Sequence, residues 1–289
     1  MSLVEQALLR VKRSVGQDPQ YAARNPVGPI ATLQPPGETP SATRLTVDLN
    51  SMRAAGYLPE EEQDRQFADQ YRQIKRPLIQ KAMATGAVEP RVIMVTSALP
   101  GDGKTFTSIN LALSMARERD ISVLLVDADF PKPHVSRIFG LQREPGMLEA
   151  LVDENLSIES LVVSTDIRGF SLLPAGKPVD GSSELVSSER MRHLIKALCA
   201  HNPRRIVLLD SPPLLVTTEG RAMVNLAGQL VLVVRAGQTP KQAVEEAISL
   251  FNPQQAGGIV LNEARMGVLD RYYGYGTYGT YGDANSPSR

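Results

Sequence analysis

The sequence predicts a doubly wound α/β fold, in which a mostly parallel sheet is covered by helices on both faces. Short apolar runs recur along the chain and are interpreted as strands: 92–95, 123–126, 170–173, 206–210, 230–234 and 258–262. Segments with helical spacing of apolar residues separate most of them: 107–117, 146–162, 183–200, 218–226 and 241–250. Apolar strands that alternate with helices are typical of a parallel sheet buried between two helical layers.

The first 43 residues are predicted to lie outside this domain. Apolar residues at positions 3, 4, 7, 8, 11 and 15 repeat at helical spacing and predict a short amphipathic helix. Six prolines follow between residues 17 and 43, and they disfavour both helix and sheet. We interpret residues 1–43 as a short helix with a disordered tether. The main domain is then predicted over 44–265, where a small apolar patch at its start is expected to dock on it: Leu45, Val47, Leu49 and Met52.

Residues 60–84 are charged and strongly helical in pattern. Their apolar positions share one side of the predicted helix: Phe67, Tyr71, Ile74, Leu78 and Ile79. Asp69, Arg72 and Lys75 are expected on the solvent-facing surface. The pattern by itself favours a solvated helix with ordinary ion pairs between neighbouring turns.

A glycine-rich loop joins the strand at 92–95 to the helix that follows. It reads Pro100-Gly101-Asp102-Gly103-Lys104-Thr105-Phe106, and Ala98 stands where the usual P-loop pattern has its first glycine. Glycines let backbone N–H groups approach phosphate oxygens, and the helix N-terminus adds partial positive charge. Residues 100–106 are therefore predicted to bind a nucleotide, with Lys104 on the β- and γ-phosphates and Thr105 on Mg²⁺.

Three acidic residues follow predicted strands, namely Asp127, Asp129 and Asp210. The carboxyl ends of the strands meet at one crevice in this fold, where the loop at 100–106 also lies. Asp127 and Asp210 are predicted to hold Mg²⁺ with Thr105, and Asp127 or Asp129 could accept a proton from an attacking hydroxyl. Any one Asp could equally be a helix cap, but three together with the loop favour a phosphoryl-transfer site.

The C-terminal segment, 266–289, is interpreted as a flexible tail. Five of the chain's eight tyrosines lie there between glycines: Tyr272, Tyr273, Tyr275, Tyr278 and Tyr281. Such a segment cannot build a core. It is either a low-complexity tail without a specific role or an array of exposed phenols that accept phosphoryl groups.

Composition narrows the classes of function. Lys plus Arg and Asp plus Glu both number 31, so no bulk attraction to nucleic acid is expected and none is predicted as a partner. Cys199 is the single cysteine, and the spacing of His134, His193 and His201 does not suggest a zinc site. No apolar run reaches the roughly 18 residues of a membrane span, and the N-terminus lacks a secretory pattern. A cytoplasmic location is expected.

In combination, these motifs resemble the bacterial tyrosine kinases, and more closely the cytoplasmic autokinases associated with exopolysaccharide synthesis and exosortase-linked gene sets. The resemblance covers roughly residues 45–282. The 97–105 loop matches the family's Walker A motif, 124–129 its second acidic motif and 208–212 its Walker B motif. It implies ATP and Mg²⁺ as cofactors, trans-autophosphorylation of the tail tyrosines, an adenine contact at Asn262, and control of exopolysaccharide polymerisation or export.

The resemblance also implies partners. Asp69, Arg72 and Lys75 stand where the family's ring-forming helix has E-x-x-R-x-x-R, so a homo-oligomeric ring through 60–84 is expected. A separate membrane co-polymerase would activate the kinase and recruit it to the inner face of the membrane, with residues 1–43 as a candidate tether. A cognate tyrosine phosphatase is expected as well. A basic residue often found two positions after the second acid of the family is Pro131 here.

Two alternatives remain at this stage. A partition- or division-type ATPase of the same P-loop class carries a second lysine five residues before the P-loop lysine, and that position is Leu99 here. A non-catalytic, nucleotide-gated scaffold is the other alternative, although the complete set of acids argues against lost catalysis.

Overall fold

A seven-stranded sheet forms the centre of the computed structural model, which describes residues 44–179 and 181–264. The strand order is β3-β4-β2-β5-β1-β6-β7, and all neighbours are parallel except β3 and β4. The strands are β1 Val92–Ser97, β2 Ser122–Asp127, β3 Val163–Ser164, β4 Phe170–Leu173, β5 Arg205–Asp210, β6 Gln229–Arg235 and β7 Ala256–Asn262. The predicted mostly parallel α/β sheet is confirmed. The predictions for 1–43 and 266–289 lie outside the described residues.

The helices pack on both faces of this sheet. They are α1 Leu49–Ala54, α2 Asp64–Met83, α3 Lys104–Ala116, α4 His134–Ile138, α5 Met147–Val152, α6 Ser182–Val186, α7 Glu189–His201, α8 Thr218–Met223 and α9 Lys241–Ser249. Buried side chains of α1 to α4 belong to one apolar cluster, and those of α5 to α9 belong mainly to the other. Every position of β1 and β5 is buried because both faces of the central strands are covered. Over 44–179 and 181–264 the structure has no helix with the length and apolar character needed for crossing a lipid bilayer.

The apolar patch at the start of the domain docks on it as predicted, with the exception of Leu49. The Leu45 N–H donates to the Ser164 carbonyl at 2.9 Å, and the side chains of Val47 and Met52 are buried. Asp48 caps α1 by accepting from the N–H groups of the two residues that follow Leu49. Leu49 itself is 41% exposed, so it does not belong to the docked patch.

Two predicted helices are shorter than their apolar patterns suggest. The helix expected over 146–162 ends at Val152, where Asp153 accepts from the Asn155 N–H in a local turn. The helix expected over 183–200 is two helices, because the Ser188 side chain caps α7 by accepting from the Met191 N–H. In both places a short polar side chain satisfies the backbone locally and stops the helix.

Lys75 does not face solvent, and the expectation that it does is wrong. Its ammonium group donates to the Ser114 carbonyl at 2.6 Å and pairs with Glu118 at 2.8 Å, and the residue is 6% exposed. Asp69 and Arg72 do form an exposed ion pair, at 2.6 Å. The difference arises because Lys75 lies on the side of α2 that packs on α3, next to the buried ring of Tyr71.

Candidate active site

The loop at 98–103 connects the end of β1 to the first turn of α3. Gly101 and Gly103 have φ angles of +88° and +94°, which side-chain-bearing residues rarely adopt. Ala98 is completely buried in the apolar core, so a methyl group fits where the usual motif has glycine. The N-terminus of α3 has no side-chain cap. Its N–H groups are therefore available to phosphate oxygens, as the sequence predicts.

The side chain of Asp102 stabilises this loop through hydrogen bonds. Its buried carboxylate accepts from the Leu99 N–H at 3.2 Å and from the Thr239 hydroxyl at 2.7 Å. Asp102 was predicted as a nucleotide-binding residue, and in the structure its side chain is committed to holding the loop. Thr239 escaped sequence reasoning because it is 137 residues from Asp102 and belongs to no motif.

Asn262 lies against the same loop. Its side-chain amide donates to the Asp102 carbonyl at 3.0 Å, and a Cβ atom added to Gly103 would collide with this amide nitrogen. Gly103 is thus required both for its positive φ and for the close approach of Asn262. Contact of Asn262 with an adenine ring stays a prediction.

Lys104 is held in the centre of the acidic cluster. Its Nζ atom lies 2.6 Å from Asp129 Oδ2, and both side chains are buried. Burial on its own would lower the pKa of Lys104, but the carboxylates of Asp210 and Asp129 outweigh it and raise the pKa. The ammonium group therefore remains charged and fixed beside the phosphate-binding loop.

Two hydroxyl groups from the first two turns of α3 donate hydrogen bonds to Asp210. The hydroxyls of Thr105 and Ser108 donate to its Oδ2 and Oδ1 atoms, each at 2.8 Å. Complete burial is the main factor that raises the pKa of Asp210, against the attraction of Lys104. Ser108 was missed from sequence, although it follows Lys104 by one helical turn and therefore shares its face.

Asp127 has one carboxylate oxygen without a partner. Its Oδ2 atom accepts from the Ser136 N–H at 2.6 Å, whereas its buried Oδ1 atom has no hydrogen bond among the described residues. Burial and the nearby Asp210 raise its pKa to about 7. Asp127 and Asp210 stand opposite each other in the register of β2 and β5. The strand-end acids thus converge as predicted.

The residues fit a magnesium ion. The Thr105 hydroxyl, the Asp210 carboxylate and the free oxygen of Asp127 are oxygen donors, which Mg²⁺ prefers. Among the described residues no group of three or more His, Cys, Asp and Glu side chains is arranged as a complete metal cage. Mg²⁺ generally takes one or two carboxylates together with phosphate oxygens.

The remaining predicted residues occupy different places. Pro100 and Gly101 are exposed at the tip of the loop. The Phe106 ring packs edge-on against Phe67 of α2, with centroids 6.3 Å apart, so contact with a nucleotide is predicted only for the Phe106 backbone. Asp69 and Arg72 lie on the exposed side of α2. The tail tyrosines lie outside the described residues.

Comparisons with known proteins agree with this geometry. A family model described as an AAA domain matches residues 90–255. The chain is 31% identical over 216 residues to Tyrosine-protein kinase YwqD of Bacillus subtilis, a match that covers 74% of this chain and 86% of that protein. It is 34% identical over 194 residues to Tyrosine-protein kinase wzc of Salmonella typhimurium, covering 66% of this chain.

The longer relatives extend well beyond the matched region, since the match covers 26% of the Salmonella protein. Among solved structures, the kinase domain of VpsO superposes with a TM-score of 0.54 at 28% identity. That superposition covers 69% of this chain and 99% of the VpsO domain. With its phosphate-binding loop and converging acids, the chain belongs to the bacterial P-loop tyrosine-protein kinases.

Proposed function

We propose that this chain transfers the γ-phosphoryl group of ATP to tyrosines of its own C-terminal tail, 272–281, in trans. The observation that carries the proposal is the buried cluster in which Lys104 and three strand-end carboxylates surround the end of the phosphate-binding loop. Kinase relatives support it, because the Bacillus subtilis and Salmonella typhimurium proteins that the chain resembles are named tyrosine-protein kinases.

Phosphate binding is the task of the loop and of the α3 N-terminus. Backbone N–H groups at residues 101–106 contact phosphate oxygens, and the helix adds partial positive charge. Lys104 neutralises the charge that develops on the transferred group, because its ammonium stays protonated between Asp129 and Asp210.

Phosphoryl transfer then forms a bond between a tyrosine oxygen and the γ-phosphorus, while the bond from that phosphorus to the leaving oxygen of ADP breaks. The phenolic proton passes to a carboxylate, and we assign this role to Asp129. Asp129 is the least buried of the three carboxylates, at 4% exposed, and its Oδ2 atom lies 2.6 Å from Lys104 Nζ. Thr105, Asp127 and Asp210 would hold Mg²⁺, which supplies further neutralisation of phosphate charge.

The cellular role is part of the same proposal. We place the kinase in the cytoplasm, where a separate membrane co-polymerase recruits and activates it, and where it controls exopolysaccharide polymerisation or export. Exposed Asp69 and Arg72 on α2 support a homo-oligomeric ring through 60–84, whereas buried Lys75 is unsuited to direct contact with a neighbour. A tyrosine phosphatase would reverse the modification.

The alternative functions receive less support. Leu99, at the position of the second lysine of partition ATPases, is apolar and packs against the core. A non-catalytic scaffold would not need Lys104 and all three carboxylates in one buried cluster.

The test is a phosphorylation assay. Purified protein incubated with Mg²⁺ and ATP should acquire phosphotyrosine at positions between 272 and 281. Mass spectrometry maps these positions, both in the incubated protein and in protein isolated from its own cells. Lys104→Met should lower the rate by about 10²-fold or more, since it removes charge stabilisation of the transferring group.

Lys196→Met, at an exposed lysine of α7, is the matched control and should phosphorylate at the wild-type rate. ATP hydrolysis without phosphotyrosine in this segment would instead favour the ATPase switch and contradict the proposal.

A further inference from the structure

A cavity of about 590 Å³ runs along α3 from Asn110 to the end of the helix that is remote from the phosphate-binding loop. Arg117, on its wall, follows Lys104 by 13 residues, which corresponds to about 20 Å along a helix. The end of the cavity that carries Arg117 is therefore distant from the active site. We call the whole cavity the basic cavity and define it by five of its lining residues: Phe67, Tyr71, Arg117, Arg119 and Arg168.

The cavity carries an excess of positive charge. Arg117, Arg119 and Arg168 are exposed, and none of them makes an ion pair within 44–179 and 181–264. The acids on the same wall are already neutralised: Glu118 pairs with Lys75 at 2.8 Å, and Asp64 pairs with Arg53 at 2.9 Å. The three arginines are thus available to an anion.

The part of the wall nearer the phosphate-binding loop is aromatic, and the Phe67 ring there also packs against Phe106. The rings of Phe67 and Tyr71 are stacked with centroids 6.4 Å apart, and both line the cavity. Guanidinium groups bind phosphate oxygens through paired hydrogen bonds, and aromatic rings pack on other rings. A peptide with several phosphotyrosines can place a phosphate at the arginines and another tyrosine ring at the aromatic part of the wall, so such a peptide fits both parts of the cavity.

We propose that the basic cavity binds the phosphorylated C-terminal tail, 272–281, of the same or a neighbouring protomer. The idea rests on the proposed autokinase function, which produces these phosphotyrosines. Each phosphate adds about 1.5 to 2 negative charges, so phosphorylation itself creates the charge complementarity.

The length of the tail permits this docking. Tyr281 follows Ala264 by 17 residues, which can span at most about 60 Å. A domain of this size has an expected radius of gyration of about 17 Å. Docking at the far end of α3 would hold the product away from the active site and leave that site open to the next acceptor.

The experiment measures binding of a fluorescent peptide of residues 268–284, phosphorylated on its five tyrosines, by anisotropy. The protein is the full chain, dephosphorylated and free of nucleotide. Wild type should bind this peptide and not the unphosphorylated one. Arg119→Glu/Arg168→Glu should weaken binding by about 100-fold, since two charge-assisted contacts become repulsive.

Arg143→Glu/Lys196→Glu makes the same change of charge at exposed sites outside the cavity and should bind as wild type does. Lys104→Met should also retain binding, because the active site is not involved. Equal affinity in the cavity variant and wild type, equal binding of the unphosphorylated peptide, or competition by Mg²⁺-ADP would overturn the proposal.

The result is independent of kinase activity because the peptide is supplied already phosphorylated. If the phosphopeptide binds but the phosphorylation assay fails, only the proposed autokinase function is contradicted. If the phosphorylation assay succeeds but the phosphopeptide does not bind, only the proposed docking site is contradicted.

Discussion

Asp127 illustrates how burial changes the pKa of a single side chain. The surrounding protein, and secondarily Asp210, raise the pKa of its carboxyl group from 3.8 to about 7. Between these two values the folded state binds a proton that the unfolded state has lost. The contribution of Asp127 to stability is therefore greatest at low pH, falls as the pH rises towards 7 and then levels off.

Asp127→Asn should remove this dependence. Without Mg²⁺ and nucleotide, the free energy of unfolding by urea should fall less between about pH 5 and about pH 7.5 in the variant than in wild type. Asp120→Asn, at an aspartate whose side chain is 90% exposed, should follow the wild-type curve. Parallel curves for Asp127→Asn and wild type would contradict the burial argument.

Gly103 shows a second effect at this scale. Gly103→Ala introduces both an unfavourable positive φ and a collision with the Asn262 amide, whereas Gly101→Ala has a similar φ but no described heavy atom within 4 Å of the new methyl group. Gly101→Ala should lower the unfolding free energy by about 1–2 kcal/mol, and Gly103→Ala by clearly more. Placing Gly103→Ala in an Asn262→Ala background should reduce its cost to that of Gly101→Ala. A cost unchanged by Asn262→Ala would rule out the collision.

At the scale of elements, the contact between α2 and α3 makes two basic residues of α2, Lys75 and Arg72, differ in their contribution to stability. Lys75→Met should lower the unfolding free energy by about 1–3 kcal/mol, because the Ser114 carbonyl and Glu118 lose their partner. Arg72→Met breaks an exposed ion pair and should cost less than about 0.5 kcal/mol. Urea unfolding checks both, and equal losses would show that Lys75 contributes no more than a surface residue.

The existence of the longer helices and strands was predictable from the sequence, but their ends were less so. The strands follow from continuous apolar runs, since a strand between two helical layers must be apolar on both sides. The ends of α5 and the break before α7 depend on single caps, such as Ser188, that compete with a helical pattern. The short β3 strand and α4 had no periodic signal, because two to five residues are too few to show one.

The whole molecule should act on a second copy of itself. We expect that a chain with its five tail tyrosines changed to Phe, mixed with Lys104→Met, will place phosphotyrosine on the Lys104→Met chain, with a rate that rises with the concentration of both. Neither protein on its own should become labelled. Mass spectrometry of the separated chains measures this, and the absence of label on Lys104→Met, despite a fully active wild type, would indicate transfer within one chain.

The sequence by itself determined the α/β class, the phosphate-binding loop and the three strand-end acids. These features are local, and parallel strands bring their carboxyl ends to one crevice whatever the details of packing. The tertiary structure decided the contacts between distant segments: Thr239 on Asp102, Ser108 on Asp210, Lys75 on α3, and the arginines that share a cavity with Phe67 and Tyr71. Such contacts depend on how helices pack on the sheet, and no spacing within a single segment specifies them.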